Sequence, residues 1–182
     1  GLISAVVIEG CTVFIGAEGV IKQISMPISV HVYRLVWKNI LIFLHNIVVF
    51  FVVAVIFSTP LNWSAFLALA GMLLVVVNGV WISLLLGLLC ARYRDASPIV
   101  ASLIQLSFFV TPIIWKPDMV PDRAIFLIAN PFFHIIEIVR APLLGGTVAP
   151  VSWAVAVGLA VIGWAITIPI VGRYRAKMVY WL

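Results

Sequence analysis

His134, Glu137 and Arg140 follow one another at intervals of three, the spacing that stacks side chains on one face of a helix. An imidazole, a carboxylate and a guanidinium in a row can hold or pass a proton. Catalysis would also need a second carboxylate, a nucleophile or a metal, and the sequence offers none beside them. Asp118 and Asp122 stand nearby, again without a catalytic partner. The ladder is therefore expected to orient its surroundings rather than to react. His45 and Asn46 lie together in an apolar block and Asn78 lies in another. They would either bond across helices, for about 1 kcal/mol each, or touch a substrate. Phe108, Phe109, Trp115, Phe126, Phe132 and Phe133 likewise have two uses, packing against protein and lipid or stacking on sugar rings in a passage.

Other chemistry is missing. No lysine follows the Gly-x-x-x-x-Gly pattern of a phosphate-binding loop, so this chain is not expected to hydrolyse ATP. Cys11 and Cys90 make no metal-ligand spacing and read as small apolar residues. The elements around these residues are set by composition. Of 182 residues 65% are hydrophobic and 9% charged, too little polar surface for a water-soluble domain and too apolar for a disordered one. An all-α integral membrane protein remains. The net charge of +5 does not point to nucleic acid, because the basic residues are thinly spread and flank apolar blocks, as lipid headgroups require.

Four blocks are long enough to cross the membrane: 39–57, 61–91, 98–115 and 151–172. None contains Asp or Glu, which argues against ion-coupled transport and against a membrane-embedded enzyme of glycan assembly. Residues 1–21 are apolar but interrupted by Glu9, Gly10, Gly16, Glu18 and Gly19, and read as a membrane-surface or span-terminal segment. With the N-terminal flank inside, Lys22, Arg34, Lys38, Arg92, Arg94, Arg173, Arg175 and Lys177 all face the cytoplasm. Only Lys116, Arg123 and Arg140 fall outside, so both ends of the chain are expected to be cytoplasmic.

The segment 116–150 departs from this pattern. It is polar over 116–123 and apolar again over 124–146, with Asn130-Pro131 in the middle. Proline pushes the preceding residue out of the helical region, so two helices too short to cross are expected to dip in from the outer face. Such a hairpin suits an exit gate, with Phe132 and Phe133 after the break as its constriction and Glu137 paired with Arg140 to hold its second helix. In the second span Gly71, Gly79, Ser83, Gly87 and Ala91 recur at multiples of four. That ladder serves close packing within one subunit or a dimer seam. On the cytoplasmic side Pro27 divides 21–38 into a short element and an amphipathic helix entering the first span, a docking site for a soluble motor.

Several motifs in order now resemble a known family. Ile21-Lys22 with Met26-Pro27, Ala91-Arg92-Tyr93-Arg94-Asp95, and Gln105-x-x-Phe108-Phe109-x-Thr111-Pro112-Ile113 are similar to the ABC-2 type permeases. So are Asn130-Pro131, Arg140-Ala141-Pro142-Leu143-Leu144-Gly145 and the terminal Val179-Tyr180-Trp181-Leu182. Within that superfamily the chain most resembles exporters of O-antigen and related cell-surface polysaccharides. The resemblance implies a single transmembrane domain over 1–182, missing the family's first span and most of its second. It implies a bacterial inner-membrane homodimer moving a lipid-linked glycan outward. A separate ATPase subunit would bind the ATP and magnesium and dock on a coupling helix at about 18–27, carrying Glu18, Lys22, Met26 and Pro27. Export of a small hydrophobic drug or a lipo-oligosaccharide is the alternative within the family.

Overall fold

The computed structural model describes residues 1–24, 26–57, 65–111 and 130–182. Its elements are α1 (Leu2–Thr12), α2 (Glu18–Gln23), α3 (Ser29–Ile56), α4 (Ala65–Arg92), α5 (Ala96–Val110), α6 (Pro131–Leu143) and α7 (Pro150–Met178). No strand occurs among the described residues. The helices α3, α4 and α7 are long and apolar enough to cross a membrane. Helix α5 has 15 residues, about 22 Å at 1.5 Å per residue. Positions 112–115 of the block expected to span 98–115 lie outside the described residues.

Helix α4 is the axis of the bundle. It is apolar on every side and contributes eleven buried residues where α3 contributes four, and it packs against α1, α3, α5, α6 and α7. In lipid, apolar surface alone does not hold helices together, so close contact depends on small residues. The ladder of α4 supplies that contact within the chain. A Cβ on Gly79 would lie 3.1 Å from Val6, and one on Gly87 would lie 2.8 Å from the Phe14 ring. A Cβ on Gly10 would lie 2.9 Å from Ser83 Oγ, whose hydroxyl donates to the Val6 carbonyl. Gly71 faces another way, with its Cβ position 2.5 Å from the Ile138 carbonyl oxygen of α6. Of the two uses open to this ladder, packing within one subunit is the one it has.

These pairings also fix direction. Val6 meets Gly79, Gly10 meets Ser83 and Phe14 meets Gly87, so α1 runs parallel to α4. Asn78 meets Ala156, the Trp81 ring covers Gly163, and Arg92 reaches Trp181, so α7 runs parallel to α4 as well. Within residues 1–21, α1 thus packs along α4, and the start of α2 follows it. The α4–α5 turn, α2, the end of α7 and the start of α3 then share one end of the bundle, here called the basic end. Among the described Lys and Arg residues only Arg140 lies toward the other end. One buried cluster fills the basic half around Phe14, Val32, Leu88 and Met178, and a second, around Val75, Ile135, Ile138 and Ala156, fills the opposite half.

Helix α6 is the second arm of the expected hairpin. At 13 residues it cannot cross, and it packs on α4 and α7 at the end away from Arg92. Pro131 opens it and Asn130 caps it, accepting from the Phe132 N–H at 3.0 Å. It closes where Gly146 N–H donates to the Ala141 carbonyl at 2.8 Å, with Gly145 at φ 76°, a backbone region that glycine enters without strain. The first arm of the hairpin, 124–129, lies outside the described residues.

Candidate functional site

The residues singled out from sequence fall into two zones at opposite ends of α4. At the basic end α2 is an exposed helix of six residues with none buried. Lys22 Nζ donates to Glu18 Oε1 at 2.6 Å, one turn apart. That hydrogen bond, together with the Lys22 charge, holds the Glu18 carboxyl below its ordinary value, with a smaller contribution from Arg94. Met26 and Pro27 follow as exposed residues before α3 begins. Val20 on α2 is exposed at 44%, and Ile24 and Met26 just after it at 53% and 44%, so the stretch from Val20 to Met26 presents an apolar row beside the charged pair. Sequence reasoning had not picked out Val20 and Ile24, although their spacing of four was legible.

The C-terminal tail closes this zone. Arg92 lies over the Trp181 ring at 5.3 Å and over Tyr93 at the same distance. Met178 and Leu182 are buried below it. Two motifs read separately, 91–95 and 179–182, thus meet as one packed cap.

At the other end α6 borders an apolar groove of about 550 Å³ between α1, α3, α5 and α6. Asn46, Phe108, Phe132 and Arg140 are on its wall. His45, also expected to line a passage, is exposed on α3 outside that wall, and Phe109 is 69% exposed with its ring edge-on to Phe108 at 6.1 Å. Phe133 packs edge-on to His134, centroids 5.4 Å apart. Asn78 sits away from the groove, buried between α4 and α7. Its amide donates to the Leu74 and Ala156 carbonyls, and its Oδ1 accepts from Trp81 Nε1 at 3.0 Å. Bonding across helices is therefore the use Asn78 has.

The ladder of His134, Glu137 and Arg140 is arranged differently from its spacing. Buried His134 Nδ1 lies 2.9 Å from Ser152 Oγ on α7, tying α6 to that helix. The ion pairs among the described residues are Lys22 with Glu18 and Lys38 with Glu9, so the expected pair of Glu137 and Arg140 is not formed. An interval of three permits contact between long side chains but does not impose it. Helix α6 is held instead by its Asn130 cap, by His134 with Ser152, and by the Ile138 carbonyl against Gly71. Asn130 does more than break the chain, since its Nδ2 donates to Thr111 Oγ1 at 3.0 Å and joins the end of α5 to the start of α6.

One contact had no forecast. Glu9 on α1 accepts from Lys38 Nζ at 2.7 Å and from Asn39 Nδ2 at 2.8 Å on α3. Among the described residues no three His, Cys, Asp or Glu side chains come together as metal ligands.

The arrangement is a helical membrane unit with an exposed charged and apolar element at one end and a short non-crossing helix beside an apolar groove at the other. No curated protein matches the chain. Residues 3–144, which run from α1 through α6, match the family described as ABC-2 type transporter. That match covers well over half of the sequence, and the chain belongs to the ABC-2 type transporter family.

Proposed function

We propose that the chain is the permease subunit of an ATP-driven exporter that moves a lipid-linked, O-antigen-like polysaccharide outward across the bacterial inner membrane. Membership of the ABC-2 family carries the permease reading. The basic end is the cytoplasmic end on this reading, since lysine and arginine concentrate on that side of membrane proteins. The C-terminal residues lie there beside Arg92, whereas Gly1 lies on the wall of the groove that α6 borders, so two cytoplasmic ends are not part of this reading. A separate ATPase subunit binds ATP and magnesium and docks on α2 and the residues that follow it, through Glu18, Lys22, Met26 and Pro27. Two copies of the permease enclose the passage. Closure of the ATPase subunits pushes α2, the helices rock, and cargo leaves past α6.

The glycan assignment rests on the motif resemblance and on what stands at the outer end. Asn46 and Arg140 stand beside Phe108 and Phe132 on a wall that is mostly apolar. A cargo with both a lipid and a sugar part matches that mixture. The same apolar wall also favours the second reading, export of a small hydrophobic drug or a lipo-oligosaccharide. The permease purified with its ATPase and reconstituted in vesicles separates the two. Lipid-linked glycan should stimulate ATP hydrolysis several-fold and hydrophobic drugs should not. Stimulation by drugs alone would replace the glycan assignment with the second reading.

A further inference from the structure

The contact around Glu9 joins two helices on either side of α2. Glu9 and Asn39 are 30 residues apart in sequence, and α2 with Pro27 lies in the loop between them. The Glu9 carboxylate accepts from both Lys38 Nζ and Asn39 Nδ2, and the same amide nitrogen of Asn39 also donates to the Leu35 carbonyl at 3.1 Å. Asn39 is 3% exposed, so water is no substitute for its partners. Sliding α1 past α3 by one turn would strand a buried amide and separate a charge pair, and buried polar groups without partners are strongly disfavoured.

We infer that Glu9, Lys38 and Asn39 clamp the neck of the α1–α2–α3 hairpin, so that α2 and the adjoining parts of α1 and α3 move as one lever. The inference rests on the reading above, in which α2 receives the movement of an ATPase. Beyond the clamp the contacts are continuous. Gly10 of α1 lies against Ser83 of α4, and Gly71 at the far end of α4 lies against the Ile138 carbonyl of α6. A push on α2 that reaches α1 and α3 together moves α4 and, through it, α6. A push on an unclamped hairpin is absorbed by α1 and α3 parting. Glu9, Lys38 and Asn39 are thus positioning residues that act through α2, not cargo-binding ones.

The readout is cargo moved per ATP hydrolysed by the permease–ATPase complex in vesicles, a ratio that simple loss of folded protein does not change. Glu9→Gln and Lys38→Met should leave co-purification of the ATPase and its basal hydrolysis near wild type. The transport ratio should fall about fivefold, which corresponds to about 1 kcal/mol of lost coupling, the upper end for a pair this exposed. The exchange Glu9→Lys with Lys38→Glu restores the charge pair and should recover most of the ratio even if one single variant folds poorly. An unchanged ratio in both single variants, or an exchange no better than either of them, would overturn the clamp and leave the exporter reading standing. A wild-type complex without cargo-stimulated hydrolysis would overturn the exporter reading and the clamp with it.

Discussion

Asn130 and Thr111 are joined side chain to side chain, Nδ2 to Oγ1 at 3.0 Å, across 19 residues of sequence. Thr111 Oγ1 in turn donates to the Ser107 carbonyl at 2.7 Å, one turn back in α5. The other end of the Asn130 amide caps α6. One residue therefore fixes where α5 stops, where α6 starts and how far apart they are. Asn130→Asp keeps the capping oxygen but cannot donate to Thr111, whereas Asn130→Ala loses both. The alanine variant should lose about 1 kcal/mol from the cap and lower the melting temperature of the purified permease more than the aspartate variant does. Equal melting shifts for the two would mean that the cap contributes nothing.

Gly71 gives a sharper test of packing. Its Cβ position is 2.5 Å from a backbone oxygen, which cannot rotate away as a side chain can. Gly71→Ala should displace α6 and cost about 1–3 kcal/mol, the usual range for overpacking. Gly158→Ala on α7, where nothing lies within 4 Å, is the control and should be neutral or slightly stabilising. Thermal unfolding in detergent reads both, and equal behaviour of the two would contradict the close approach of α4 and α6.

The pair of Glu18 and Lys22 is exposed and screened by water, so Glu18→Gln should leave the fold intact and weaken ATPase pull-down less than a charge placed in the apolar row does. The Glu18 carboxyl titrates below its ordinary value of 4.5. Its link to Lys22 is therefore fully present above that value and is lost only as pH falls through the lowered one, leaving docking flat between about pH 6 and 8 as far as this pair is concerned. Ile24→Asp and Met26→Glu place charge in the exposed apolar row and should weaken pull-down about tenfold or more, with the membrane part still folded. Normal pull-down by both would remove α2 from the docking site.

Sidedness is tested by cysteine labelling in intact cells. Cysteines at positions 94 and 175, on the basic end, should resist an impermeant outside reagent, and one replacing exposed Leu144 should be labelled. Labelling at 94 with protection at 144 would invert the orientation.

Much of this was legible in the sequence because it depends on short-range rules. Apolar block length gave the long helices, Pro27 separated α2 from α3, and Asn130-Pro131 marked the start of α6. What escaped depends on partners far away in the chain. Glu9 and Gly10 looked like interruptions of an apolar stretch, yet Glu9 meets Lys38 and Gly10 is small because Ser83 lies against it. Helix α1 is continuous through both for that reason. Glu137 and Arg140 erred the other way, since helical spacing put them within reach while tertiary packing did not bring them together. The cap formed by Arg92 and Trp181 was also invisible, because nothing in either motif refers to the other.

On the proposed function an ATPase drives this permease from the end that carries α2. Photo-crosslinking in membranes containing the permease and its ATPase tests it most directly, with a photoreactive residue at Ile24, at Met26 or at Leu144, all three exposed. The expected result is an ATPase adduct from positions 24 and 26 and none from 144. Adducts from 144, or none from the α2 positions while the two proteins still co-purify, would contradict it.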